Sequence, residues 1–353
     1  MNKVISRNVS VDLIKALAVF LVMSVHFFLN TNFYFVPISD KQLYLATTFR
    51  TLCMTCVPLF LITTGYLMRK KELSKSYYLS ISRVLISYFL YVIVFFLFNY
   101  FILHTELSIE FIRNSLLDFN QTGYSWYVEM YIGLFLLIPF LNIIYKNLSG
   151  KKEKKILIGT FILLTSLPGL LNIKHVVTMD YWLTLYPFTY YYIGAYISEY
   201  KDDFKISKTF LLFLFSLIIS SVLNIYLSHD NNFVWGIHND WGSIFNVMNS
   251  TFLFITILKM DLNKLPNLFK MIIVKVSQLS FVMYLSSYLV DQYIYKIYFN
   301  SSITCSLINY IKIIPIIFIL SLIISYIINL IYNVIDKFVI KKIFSKLAIK
   351  WAF

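Results

Sequence analysis

Charge is scarce in this chain, and so is glycine. Of 353 residues only 14% are Asp, Glu, Lys or Arg, and there are nine glycines and seven prolines. A soluble domain of this length carries roughly a quarter of its residues charged, so that class is excluded. No phosphate-cradling glycine loop and no Gly-x-Ser-x-Gly elbow is present, which removes the usual motifs for P-loop and α/β-hydrolase chemistry. Three cysteines make no disulfide framework. Cys53 and Cys56 form a CxxC inside an apolar run, where thiols pack as small hydrophobes. No His, Cys, Asp or Glu spacing suits a metal, and none is expected. Neither an internal repeat nor a low-complexity segment is found.

What the chain has in abundance is apolar sequence. Hydrophobic residues make up 59% of it, and the mean hydropathy is +0.73. They form runs of about 18 to 28 residues separated by short charged stretches, as helices crossing roughly 30 Å of hydrocarbon require. The expected fold is therefore all-α and polytopic, a single membrane domain over 1–353. Ten transmembrane helices are predicted near 11–29, 44–68, 78–103, 126–146, 155–172, 181–199, 208–227, 242–260, 275–297 and 307–334. The first run follows Lys3 and Arg7 like a signal peptide. It lacks a small-x-small cleavage site and carries Lys15 and His26, so it is expected to remain as the first helix.

The imbalance of 31 basic over 17 acidic residues, net +14, reads as a topology signal. With both termini in the cytoplasm, most basic residues fall inside, in Arg69-Lys70-Lys71, Lys151-Lys152-Glu153-Lys154-Lys155 and the tail with Lys341-Lys342. Outer loops then hold Lys41, Arg113, Lys174 and Lys296. That distribution argues against a nucleic-acid partner and for the lipid bilayer.

Ionisable residues inside the spans carry the chemistry, because a charge there costs several kcal/mol unless it is paired or faces a wet cavity. Asp12, Lys15 and Arg83 lie toward the inner ends of spans one and three. His26, Arg50, Glu129 and Asp291 lie toward the outer ends of spans one, two, four and nine. Lys15 and His26, eleven residues apart, project from one helix face about 16 Å apart. A pantetheine arm is of comparable length. Cations holding the phosphates of an acyl-coenzyme A would thus place its thioester beside His26. Plainer readings stand beside this one. Lys15 can snorkel to headgroups with Asp12 as its i,i+3 partner, and Arg83 can be a positive-inside anchor. Arg50 and Glu129 can neutralise one another. Asp291, next to Gln292 at an outer helix end, has solvation as its simpler reading.

At these residues the chain resembles the type-3 membrane acyltransferases, bacterial enzymes that O-acetylate surface glycans. The stretch from Arg7 to His26 is similar to the family's first-helix signature. Further blocks agree: Val57-Pro58-Leu59-Phe60 with Gly65-Tyr66-Leu67, Trp126-Tyr127 with Tyr131-Ile132-Gly133-Leu134 and Pro139, and Tyr190 to Tyr196. A weaker block, Leu279-Ser280-Phe281 with Tyr284-Leu285, follows. The resemblance implies transfer of an acyl group, usually acetyl, from cytoplasmic acetyl-CoA or another acyl-CoA to a hydroxyl of an envelope glycan or its lipid-linked precursor. It implies a multi-pass protein of the cytoplasmic membrane, with or without partner proteins of glycan assembly. Lys15 fills the family's basic first-helix position, which is often arginine, and His26 the histidine. Lysine keeps the charge but loses the bidentate fork. Tyr124 and Ser287 stand where relatives often carry histidines. Of an Arg-x-x-Arg pattern only Arg83 remains, with Ser80 at the other position. The basic tail leaves no expected room for the hydrolase-like domain that some relatives append.

Acyl transfer to an alcohol needs a base, stabilisation of an oxyanion and exclusion of water. His26 is the expected base, or alternatively a transient acyl carrier. Glu129 or Asp291 is the candidate to orient its other ring nitrogen, and Arg50 to stabilise the oxyanion. Lys15 and Arg83 would clamp coenzyme A phosphates, with Asp12 beside them. Tyr124, Trp126 and Asp180 are candidates for touching the acceptor. The loop residues His104, Phe233, Trp235, His238, Asp240 and Trp241 suit either sugar stacking or an interfacial aromatic belt. His175 and Asp180 have the His-x4-Asp spacing of glycerolipid acyltransferases, but an outer loop lacks cytosolic acyl-CoA. A transporter, flippase or polymerase of envelope glycans is the rival reading, since intramembrane His, Arg, Glu and Asp also build substrate paths. A receptor or scaffold gives no reason to bury so many ionisable groups.

Overall fold

The computed structural model describes residues 8–106, 108–117, 119, 123–298 and 303–340. Lys3, Arg7, Lys341 and Lys342 lie outside the described residues. The chain is all-helical, with no strand among the described residues. Its helices are α1 Val9–Leu29, α2 Lys41–Cys53, α3 Cys56–Met68, α4 Lys75–Leu79, α5 Ser82–Phe101, α6 Ile109–Leu117 and α7 Trp126–Lys146. The series continues with α8 Lys151–Thr165, α9 Pro168–Leu171, α10 Tyr186–Tyr200, α11 Ile206–Ser228, α12 Ile244–Leu258, α13 Asn267–Asp291 and α14 Leu307–Ile335.

Eight spans among the described residues are long and apolar enough to cross a membrane. The predicted sixth and eighth spans are instead the 15-residue helices α10 and α12, about 22 Å long at 1.5 Å per residue. Both pack against α3, and α12 also lies along α1 and α11. A helix walled by protein can stop short of the full hydrocarbon thickness, because its backbone ends find protein rather than lipid. The connection 229–243 before α12 tucks buried Phe233, His238 and Asn239 into the protein.

The second predicted span is a pair, α2 and α3, separated by a turn at Met54 and Thr55. Pro58 has no N–H to return to the Met54 carbonyl, so the regular ladder fails there. At the turn itself the end of α2 is closed by Thr55, which donates its N–H and its Oγ1 to the Leu52 carbonyl at 3.1 and 2.8 Å. Large apolar side chains that remain exposed run along α5, α11 and α14, such as Phe89, Phe215 and Ile319, as faces bathed by acyl chains should.

The tightest contact is between α3 and α10. A Cβ on Gly65 would fall 2.0 Å from the Tyr191 carbonyl oxygen, and one on Gly194 would fall 2.1 Å from that of Ile62. Each glycine therefore receives the backbone of the opposite helix, the small-residue contact by which helices associate in lipid. The basic segments are tied together at one end of the bundle. Lys154 pairs with Glu199 at 2.8 Å, Lys146 with Glu72 at 3.2 Å, Lys151 pairs with Asp203, and Arg69 donates to Ser198 at 2.9 Å. Replacing Gly194 by Ala forces α3 and α10 apart and is expected to cost about 1–3 kcal/mol, read as a lower unfolding midpoint in detergent. Gly159→Ala, where an added Cβ meets open space, should leave the midpoint unchanged.

Candidate functional site

His26 lies in the last turn of α1, where Asn30 closes the helix by donating its N–H and its side-chain amide to the His26 carbonyl at 3.0 and 2.8 Å. The imidazole is buried, 7% exposed, and stacks on Tyr124 with ring centroids 3.6 Å apart. Tyr124 reaches it through Gly123, whose φ of +58° suits glycine and whose missing side chain leaves room for the Tyr288 ring. The Tyr124 hydroxyl donates to Asp291 Oδ2 at 2.7 Å. That same oxygen is 3.7 Å from His26 Nδ1, within ion-pair reach and beyond hydrogen-bond length. Tyr284 donates its hydroxyl to the Tyr124 carbonyl, securing the stacked ring from α13.

Asp291 is 0% exposed. Its expected solvation at a helix end is therefore corrected: α13 does not end in water but loosens into a π-helical segment, Gln292–Tyr298, a winding often found at functional sites. Burial first, and then the Asp291 carboxyl, push the Tyr124 phenol well above its ordinary pKa, so it remains a proton donor. His26 Nδ1 and Asp291 Oδ1 have no hydrogen-bond partner among the described residues. Buried polar atoms so placed are poised for a ligand or a rearranging proton.

Two cavities are lined by α1, one before His26 and one after it, and neither lining includes His26, Tyr124 or Asp291. One, of about 440 Å³, is lined by Lys15, Arg83, Ser87, Tyr127, Tyr131 and Tyr284 among others. It follows α1 from Lys15 to Val22, about 10 Å, and His26 is one turn beyond Val22. The second, of about 420 Å³, is lined by Asn30, Thr31, Asn32, Tyr295, Lys296 and Thr304 among others. Asn30 is one turn past His26, and Tyr295 is four residues past Asp291. Tyr295 Oη and Thr31 Oγ1 are buried and without a hydrogen-bond partner among the described residues.

The remaining predicted site residues are placed as follows. Lys15 and Arg83, from different helices, share one cavity wall, and Arg83 also sits over the Tyr332 ring at 5.5 Å. Asp12 is buried and accepts from Ser277 Oγ of α13 at 2.5 Å. Trp126 stacks on Trp241 with centroids 6.2 Å apart. Asp180 and His175 are exposed. Glu129 is exposed whereas Arg50 is 0% exposed, so their expected mutual neutralisation is corrected: α7 turns Glu129 outward while α2 turns Arg50 inward. Glu129 has no described contact with His26.

Arg50 is also absent from the His26 cluster. Its guanidinium lies between the rings of Phe233 and Trp235, 4.5 Å from each centroid, and donates to Tyr34 Oη and the Asn239 carbonyl. The loop aromatics expected to suit a sugar or an interface thus include two that clamp a cation. Burial, and secondarily Arg50, hold the nearby His238 imidazole below its ordinary pKa. Cys53 and Cys56 are free, buried thiols. Among the described residues no group of three or more His, Cys, Asp or Glu could hold a metal. Sequence reasoning missed the structural parts of the site: Tyr284, Tyr295, Asn30 and Gly123. Only Tyr284 carried a signal, as part of the late Tyr-Leu block.

The family described as "Acyltransferase domain" matches residues 8–330. No curated protein and no solved structure matches the chain. Removing the Tyr124 hydroxyl strands a buried carboxylate oxygen, so Tyr124→Phe is expected to lose about 1–3 kcal/mol of stability in thermal unfolding. Tyr44→Phe, whose 3.4 Å bond is exposed, should change it by less than about 0.5 kcal/mol.

Proposed function

Because the chain belongs to the acyltransferase 3 family and is a multi-pass membrane acyltransferase, we propose that it moves an acyl group, usually acetyl, from cytoplasmic acyl-CoA to a hydroxyl of an envelope glycan or its lipid-linked precursor. The membrane is the cytoplasmic one, with both termini inside. The single observation that carries this reading is the His26, Tyr124 and Asp291 cluster on a stretch of α1 flanked by two cavities, one lined up to Val22 and the other from Leu29 onward. A donor that never leaves one side and an acceptor that never leaves the other need such an arrangement.

In this reading Lys15 and Arg83 hold the coenzyme A phosphates as point charge and fork, and the pantetheine follows the 440 Å³ cavity past Tyr127 and Tyr131. Asp291 faces His26 Nδ1 and favours the tautomer with the proton there, leaving Nε2 as the base. The acceptor arrives through the cavity of Asn30 and Tyr295. Nε2 takes the hydroxyl proton as the oxygen attacks the thioester carbonyl. The carbon–sulfur bond then breaks, and the coenzyme thiolate leaves with the proton held by the imidazolium. Tyr124 has two tasks, stacking on the imidazole and holding the Asp291 carboxylate in place. Arg50 is not assigned to the oxyanion, because its guanidinium lies with Tyr34 and the 229–243 connection and has no described contact with the His26 cluster.

The deciding experiment is acyl transfer by purified protein in proteoliposomes, with mass spectrometry of the glycan product. His26→Ala is expected to abolish transfer while the protein still inserts, and Asp291→Asn to lower kcat by about 10²–10⁴-fold. Full acetylation by His26→Ala would refute the assignment. Replacing both Lys15 and Arg83 by Gln should raise KM for acyl-CoA with little change in kcat, the signature of lost ground-state binding. Reporter fusions in the connection between α5 and α7 should report outside the cytoplasm; a cytoplasmic signal would overturn the layered mechanism.

A further inference from the structure

Arg50 presents a problem that acyl transfer does not solve. Its guanidinium cannot lose its proton, it is 0% exposed, and no carboxylate lies within 4.0 Å of it among the described residues. Nε and Nη1 have neutral acceptors, Tyr34 Oη at 3.2 Å and the Asn239 carbonyl at 3.5 Å. Nη2 has no hydrogen-bond partner among the described residues. The two flanking rings attract the cation but supply no counter-charge. A full charge in this setting is costly unless an anion meets it.

Beside Arg50 lies a small cavity lined by Thr51, Asn224, His238, Asn239 and Asn246 among others. Its volume is about 10 Å³, room for one water-sized group. A sugar carboxylate or a phosphate does not fit. The lining offers further donors, since a primary amide has two N–H groups. Asn224 is described giving one bond, to Thr51 Oγ1, and Asn246 one, to the Asp240 carbonyl. A site with one fixed cation, spare amide donors and the volume of a single small group selects a small monatomic anion.

We propose that this cavity binds one halide ion of the chloride class, held by Arg50 Nη2. The ion joins α2, α11 and α12 to the 229–243 connection, because the lining residues come from all four. The same connection completes the short helix α12, so the anion stabilises this end of the bundle rather than taking part in acyl transfer. This inference stands apart from the catalytic reading, and its readout is stability, which a failure of that reading leaves untouched.

The test is thermal unfolding of the full chain in detergent, in sodium chloride or bromide against sodium gluconate at equal ionic strength. Chloride and bromide are expected to raise the unfolding midpoint saturably, by about 3 °C, over gluconate, whose anion is too large for the cavity. Arg50→Met should abolish the difference. Equal midpoints in chloride and gluconate, as for a cavity holding only water, would overturn the proposal, as would an unchanged chloride effect in Arg50→Met. Should that variant fail to fold, anomalous scattering from bromide-grown crystals of the unmodified protein decides. A bromide peak beside Arg50 supports the site, and its absence overturns it.

Discussion

Inside hydrocarbon a backbone or side-chain polar group without a partner costs several kcal/mol, and three of the chain's irregularities answer to that cost. Where α2 ends ahead of Pro58, Thr55 donates its hydroxyl and its amide to the Leu52 carbonyl. Where α13 unwinds after Asp291, the carboxylate finds Tyr124. Where α3 ends, Asn142 donates to the Met68 and Lys71 carbonyls and accepts from Tyr191. Regular helix runs along the lipid-exposed faces, and broken winding appears where other protein groups can complete it. The site is thus built from places that a bilayer would otherwise forbid.

This constraint also separates two kinds of buried ionisable group. His26 and Asp291 sit together with a tyrosine that stacks on one and bonds the other, and α1 lines one cavity before His26 and another after it. Arg50 is wrapped in aromatic rings and neutral acceptors with only a water-sized space beside it. Depth along a span treats the two alike, since both lie toward the same end of the bundle. Their surroundings differ: the first pair lies one helical turn from the linings of two larger cavities, and Arg50 lines a small one.

The tight approach of α3 and α10 links these features to the fold. Gly65 and Gly194 bring the two backbones into contact, and α3 also packs on α1. α1 packs on α13 and on α14. The helices that carry His26 and Asp291 therefore rest, through α3, on a contact that tolerates no Cβ. The 3.7 Å approach of imidazole and carboxylate is made where α1 and α13 pack directly on one another.

Apolar run length and the absence of charge were enough to read an all-helical membrane protein, because the thickness of hydrocarbon dictates how many residues a span needs. Local spacing along one helix also put Lys15 and His26 on a common face, and the blocks around them carried the family resemblance. The sequence alone left open which groups meet across helices. Gly123, Tyr124 and Asp291 are joined over more than 160 positions of chain, and no one-dimensional period encodes that. Nor did depth distinguish Glu129, turned outward, from Asp291, turned inward, or reveal that α10 and α12 are short because protein surrounds them. Periodicity determines which face of a helix is apolar; only tertiary packing decides what that face meets, and so whether an ionisable residue within a span is paired with another, wrapped in aromatic rings or turned to the outside.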